Sequence, residues 1–326
     1  MPRINVGIIG YRNHSLKIIN VLLSSHKIGK IFCYCYKVNT CKILNEKNKN
    51  DKITYLSNLK DLYISDLFFI TSPSNTHFHY IKKLIKIKKP IFCEKTGFTT
   101  AKQLLYLKNL KSSQISKIYF NYNFIFTKLF KDIEKLIKDK KDNLNHLSIN
   151  VTNGIYSLKK FKNNWRFTSN SPLERITGNL GSHYLHFLIT LLGKPINIDI
   201  FEKANSFNKI HSAVINIKFK KNITSTLFFS YNTPMINKLE MIFDNKIVTL
   251  NDLEMNIYGP RNTFDKKGLF KTPKKIERIN YNKNMNEVSL KDSVNFFIKN
   301  SLNKKKFIKY YMNSIIVSEI ILLKKI

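Results

Sequence analysis

The residues of this chain whose chemistry could be put to use fall in three clusters. The first follows an apolar opening segment and reads Gly10-Tyr11-Arg12-Asn13-His14-Ser15. Its spacing is that of a G-x-G-x-x-G dinucleotide loop with only the first glycine kept. In such a loop the second glycine lets the backbone approach a pyrophosphate, and the third allows tight helix–strand packing. Ser15 is small enough for the packing role. Arg12 brings a side chain where none is expected, so its guanidinium either pairs with a phosphate or blocks the approach. The second cluster is Glu94-Lys95, at the end of another apolar run. A lysine cation can favour a developing alkoxide or polarise a carbonyl, although Lys95 is one of fifty lysines, the 56 basic residues less six arginines. The third joins His183 to Asn179, four residues earlier. An imidazole with an ordinary pKa of about 6.5 suits proton transfer. An amide can hydrogen-bond a hydroxyl, but it does not stabilise an imidazolium as a carboxylate would. His186, one turn beyond His183, reads as a packing residue.

These clusters need elements to hold them. Ile4–Ile9, Ile31–Tyr36, Asp66–Thr71, Pro90–Cys93 and Ile118–Tyr122 are apolar, β-forming runs. Amphipathic stretches such as Ser15–Leu23, the segment after Asn75 and Thr99–Leu110 alternate with them. That alternation predicts a doubly wound parallel sheet, whose ligands sit at the carboxyl ends of the strands. Past about residue 125 the pattern changes. Phe126–Asp139 and Leu180–Leu192 read as helices, the second stopped by Gly193 and Pro195. His146–Asn153, Ile196–Phe201, His211–Lys218, Thr224–Tyr231, Leu239–Phe243, Lys246–Leu250 and Met255–Tyr258 alternate as strands, with Asp244-Asn245 as a turn. Asp292–Ile326 is helical again. The expected fold is therefore α/β: a Rossmann domain over residues 1–122, then an α+β domain over 123–326 with a large, mostly antiparallel open sheet.

Composition narrows the classes. With 43% hydrophobic and 24% charged residues the chain is of the globular type. The net charge of +35 is carried by lysine spread along the whole sequence, for example at Lys82-Lys83, Lys159-Lys160 and Lys304-Lys305-Lys306. Nucleic-acid sites concentrate charge in a patch with arginine and stacking aromatics, so a solvated surface is the reading and no nucleic-acid partner is expected. No apolar run approaches the roughly 18 residues of a membrane span, and the N-terminus reads as a strand; a cytoplasmic location without a membrane partner is expected. Cys33, Cys35, Cys41 and Cys93 form no metal spacing and read as small hydrophobes, so no metal is expected.

Several motifs in register carry a resemblance. Asp66–Lys95 runs D-L-F-F-I-T-S-P-S-N-T-H, then a helical stretch, then K-P-I-F-C-E-K. Trp165-Arg166 is followed by Gly178-Asn179-Leu180-Gly181-Ser182-His183, and the chain opens with Val6-Gly7-Ile8-Ile9-Gly10. This pattern resembles the Gfo/Idh/MocA family of sugar and cyclitol oxidoreductases, in which T-P-N-x-x-H, C-E-K-P, W-R and D-x-G-x-H occur in that order. The resemblance covers nearly the whole chain.

It implies NAD or NADP as cofactor and a sugar, cyclitol or nucleotide sugar as substrate. Lys95 and His183 would be catalytic, His183 accepting the proton as hydride leaves, with Asn179 in place of the family aspartate. Gly7, Gly10, Arg12, Asn13, Lys37, Thr71, Pro73, Asn75, His77 and Glu94 would line the cofactor. Trp165, Arg166, Lys95, Asn179 and His183 would face the substrate. Tyr36 or Lys37 stands where an acidic residue usually reads the adenosine ribose, which permits a 2′-phosphate. Thr96 replaces a proline that is commonly cis, and for threonine a trans bond is expected. A homodimer or homotetramer is implied by analogy. Loss of the aspartate, the second glycine and the proline motivates an alternative: a catalytically impaired relative that binds a ligand or a partner. Net charge motivates a third, polyanion binding.

Overall fold

Residues 3–139, 141–158, 171–204, 210–260, 263–303 and 306–324 are described by the structure, a computed structural model. The chain divides into two compact units, one of residues 1–123 and 287–315, the other of 124–286 and 316–326. Residues 287–315 return to the first unit, whereas the sequence pattern grouped 123–326 together.

The first unit is a six-stranded parallel sheet in the order β3-β2-β1-β4-β5-β6. Its strands are β1 (Ile4–Ile9), β2 (Ile28–Tyr34), β3 (Ile53–Leu56), β4 (Leu67–Ile70), β5 (Ile91–Glu94) and β6 (Ile118–Asn121). The edge strand β3 went unrecognised in the sequence. It is four residues long and none of them is fully buried, so it carries little periodic signal. Helices α1 (Asn13–Leu23), α2 (Val38–Lys47), α3 (Ser74–Leu84), α4 (Ala101–Lys108) and the single turn α5 (Ser112–Ile115) connect the strands. The strand order reverses between β1 and β4, so α1 and α3 begin on either side of the switch point where such sheets bind ligands. Residues 287–315 join this unit through aromatic packing. Phe297 meets Phe69 and Phe92 edge-on at 5.3 and 5.5 Å, and Tyr119 shares a hydrogen bond with Ser293 at 2.9 Å. These aromatic faces take water away from the sheet's centre.

The second unit holds an eight-stranded sheet, β14-β13-β12-β11-β7-β10-β9-β8. The strands are β7 (Leu144–Thr152), β8 (Asn197–Ala204), β9 (Ile210–Lys218), β10 (Thr224–Ser230), β11 (Ile236–Phe243), β12 (Ile247–Asn251), β13 (Glu254–Tyr258) and β14 (Lys275–Asn280). Only β7 and β10 pair in parallel; the other pairs are antiparallel. The Asp244-Asn245 turn lies between β11 and β12, where the sequence placed it. Leu147, Ile149 and Val151 bury one face of β7, while His146, Ser148 and Asn150 lie on the other, the alternation of a sheet covered on one side. Helices α6 (Lys128–Lys138) and α7 (Ser182–Leu192) belong to this unit; α8 (Met285–Leu302) and α9 (Ile308–Leu323) complete the chain. Among the described residues no helix is long and apolar enough to cross a membrane.

Candidate functional site

In the first unit the loop at Gly10 is built for close approach. Gly10 has φ +128°, and a Cβ there would lie 2.7 Å from the Thr71 hydroxyl and 2.8 Å from that of Ser15. Only glycine accepts both the dihedral and the crowding. Ser15 is buried and its hydroxyl lies 2.8 Å from that of Thr71, which donates to the Ile9 carbonyl at 3.1 Å. Ser15 thus fills the packing place read for it, adding a polar tie between α1 and the end of β4. Gly7 lies inside β1, three residues short of the turn, where a Cβ would meet the Phe68 ring at 3.0 Å.

The helix ends around this turn share a property. Arg12, Lys37 and Pro73 occupy the N-cap positions of α1, α2 and α3; none makes a side-chain cap, and no first turn holds an acidic residue. By contrast α4 and α6 are capped by Thr100 and Thr127. Backbone N–H groups at the first three helix starts therefore have no side chain of the cap residue to accept them, at ends that carry partial positive charge. Arg12, Asn13 and Lys37 are exposed there, Lys37 with its ammonium 5.7 Å from the Tyr36 ring centre. Asn75 is exposed in the first turn of α3.

At the end of β5 the groups are ionic. Glu94 accepts a hydrogen bond from Asn121 at 2.8 Å and pairs with His14 at 2.8 Å. Burial works against the Glu94 charge, but the imidazole and the amide prevail and hold its carboxyl below the usual range. The carboxylate in turn holds the His14 imidazole above its ordinary value, against its partial burial and the nearby Lys17 and Lys95. Lys95 is half-buried beside this pair. The Lys95–Thr96 bond is cis, not trans as the residue type led us to expect. Thr96 is buried and its carbonyl meets His77 Nδ1 at 2.7 Å, so surrounding contacts, rather than the residue's own preference, define this backbone. His77 is buried, with Nε2 2.6 Å from the Ser72 carbonyl. Its ring latches the loop after β4 to the loop after β5 and faces the interior rather than the sheet's crest. Burial pushes its pKa down.

In the second unit a π-helical turn, Thr177–Gly181, leads into α7. Gly178 is required by close approach: a Cβ would fall 2.2 Å from the Leu173 carbonyl oxygen. The turn carries Asn179, whose amide donates to the Tyr231 hydroxyl at 2.9 Å. His183 is half-buried, its ring stacked on Phe124 with centroids 4.6 Å apart. His186 is buried within α7 and pushed down to about 3 by that burial, which is the packing role read for it. A cavity of about 470 Å³ is lined in part by Phe124, Tyr184, Phe187 and Met235. Trp165 and Arg166 lie outside the described residues.

Sequence reasoning missed His14, Asn121, Phe124 and Tyr231. Asn121 and Tyr231 end or follow strands that were recognised, which was a usable signal; His14 and Phe124 gave none. The four cysteines are buried, and burial pushes all four thiols up, Cys35 to about 12, so they stay protonated. Among the described residues no group of three His, Cys, Asp or Glu side chains could hold a metal ion.

The sequence matches no protein-family model and no curated protein. Solved structures are similar over the whole chain. A protein described as an NADPH-dependent oxidoreductase from Desulfitobacterium hafniense is 14% identical, with a TM-score of 0.77 over 99% of this chain and 95% of its own. A myo-inositol dehydrogenase from Corynebacterium glutamicum is 13% identical, with a TM-score of 0.75 over 98% and 94%. A UDP-N-acetylglucosamine 3-dehydrogenase from Acidithiobacillus ferrooxidans is 11% identical, with a TM-score of 0.70 over 98% and 96%. The two-part fold of this chain is shared with these solved structures.

Proposed function

We propose that the protein is an NAD(P)-dependent oxidoreductase that moves hydride between a nicotinamide and a secondary alcohol or keto group of a sugar, cyclitol or nucleotide sugar. The observation that carries this reading is the crest of the first sheet. Three helix starts lack side-chain caps and carboxylates, and Gly10 forms a turn that any side chain would fill. Diphosphate chemistry fits that donor set. Gly10, Asn13, Thr71, Pro73 and Asn75 would hold the dinucleotide, with Arg12 and Lys37 supplying positive charge. Lys37 and the missing acid after β2 suit a 2′-phosphate, and NAD remains compatible. When bound, the nicotinamide supplies or accepts hydride.

The chain's own residues do the rest. Lys95 stabilises charge developing on the substrate oxygen. His183 takes or returns the hydroxyl proton. Asn179, oriented by Tyr231, offers its carbonyl oxygen to a substrate hydroxyl. The dehydrogenases that share the fold act on an inositol and a nucleotide sugar, which supports a polyhydroxylated substrate. Assembly as a homodimer or homotetramer is part of the proposal. The test is titration with NADH and NADPH, read by quenching of Trp165, the only tryptophan, followed by absorbance of the reduced nicotinamide across a panel of sugars, inositols and nucleotide sugars. Binding of neither nucleotide at about millimolar concentration sinks the reading.

One observation favours a second reading, a ligand-binding relative without turnover: the group one turn before His183 is an amide engaged with Tyr231, not a carboxylate. Nucleotide binding with no turnover on any substrate, unrepaired by Asn179→Asp, would select it.

A further inference from the structure

His14 is the polar group at the crest that the dinucleotide reading does not use. It sits in the first turn of α1, where nothing in the loop spacing calls for an ionisable residue. We propose that His14 is a positioning residue: through its ion pair with Glu94 it ties the turn after β1 to the end of β5, and so sets how Lys95 is presented to a bound dinucleotide. This inference rests on the oxidoreductase reading above.

The geometry supports it in three ways. His14 Nε2 lies 2.8 Å from Glu94 Oε1, the same oxygen that accepts from Asn121 at 2.8 Å. The carboxylate is only 14% exposed while the imidazole is 48% exposed. The pair is therefore anchored on a nearly buried acid and opens outward on the side of the helix start, unlike a solvated surface contact. Removing the imidazole would leave that nearly buried carboxylate with the Asn121 amide as its hydrogen-bond partner. Finally, Glu94 is followed directly by Lys95, so any shift of the carboxylate moves the backbone that carries the ammonium.

The charged and titratable groups facing the pair are Lys17 on α1, Lys95 after β5 and His77 on α3. The two lysines oppose the imidazolium, and Glu94 outweighs them. A group whose pKa is raised in this way keeps its partner at neutral pH and loses the charge as pH rises through the raised value. The consequence is that nucleotide affinity should weaken on the alkaline side, through this one imidazole.

The experiment measures the NADH and NADPH dissociation constants from about pH 6 to pH 9 for the wild type, His14→Gln and His14→Ala. Glutamine can still donate to Glu94 but cannot titrate. The wild type should weaken by about fivefold to tenfold across that range, while His14→Gln should vary by less than about twofold and His14→Ala should bind more weakly throughout. In parallel, NMR titration of the nucleotide-free protein should show His14 protonating above its ordinary value, and Glu94→Gln should return it towards that value. An ordinary His14 titration, or equal pH slopes in wild type and His14→Gln, overturns the inference and leaves nucleotide binding intact. If neither nucleotide binds the wild type, the oxidoreductase reading falls and the positioning role with it, and the NMR titration identifies that as the failing step by recording the ion pair independently.

Discussion

The crest of the first sheet and the helical turn of the second unit solve opposite problems. At the crest, charge is kept. Glu94 is nearly buried yet ionised because His14 and Asn121 face it, and three helix starts have neither a side-chain cap from the cap residue nor a first-turn carboxylate. In the turn that leads into α7, polar groups are neutral. An amide meets a phenol at Asn179 and Tyr231, and His186 is held uncharged by burial. The contrast teaches that a histidine's role here is set by what it faces: His14 faces a carboxylate, His183 an aromatic ring and His186 the apolar core.

Removing the crest's cation should give the largest effect. Lys95→Ala should lower kcat/KM by roughly a hundredfold to ten-thousandfold while leaving the fold intact, read from reduced-nicotinamide absorbance with whichever substrate the panel identifies. A drop below threefold would mean that charge at the crest serves binding alone. Next is the turn's packing. Gly178→Ala pushes a methyl group into the Leu173 backbone and should cost about 3 kcal/mol, seen as a lowered midpoint in urea; an unchanged midpoint would show that the π-helical turn can relax.

A pH experiment then separates the two regions. His186 has its folded pKa far below that of the unfolded chain. The unfolded state therefore takes up a proton below about pH 6.5 that the folded state refuses, and stability should fall by roughly 1.4 kcal/mol per pH unit on the acid side. His186→Leu should flatten that limb in urea melts recorded between about pH 4 and pH 7. His14 has the opposite sign, its contribution being complete below the ordinary value and lost as pH rises through the raised one. Because it is nearly half exposed, solvent screening keeps that alkaline effect on stability small. The smallest change expected is from Asn179→Asp, which should raise the proton affinity of His183 and displace the acid limb of the pH–rate profile upward by about one unit. No displacement would mean that the new carboxylate remains turned to Tyr231.

Much of the fold was legible because buried strands write themselves as apolar runs. β1, β4, β5 and β6 were found close to their true limits, and the switch to antiparallel alternation after residue 125 marked the second sheet. β3 was not, because an edge strand whose residues are all partly exposed has no continuous run to detect. The site was legible where a motif required a particular backbone. Gly10 and Gly178 stand where no side chain fits, and Ser15 packs as its size suggested. His77 is buried with both ring nitrogens on backbone carbonyls, which no motif announces, since a motif gives residue order and not the direction of a side chain.

Residue order and type alone determined the class of fold, the two-part division and the short segments that could carry chemistry, since hydrophobic period and glycine placement are local properties. Only the tertiary structure decided that His14 rather than a neighbour meets Glu94, that Tyr231 holds Asn179, and that residues 287–315 return to the first unit. Each of these depends on groups distant in sequence that touch in space, and no window along the chain contains both partners.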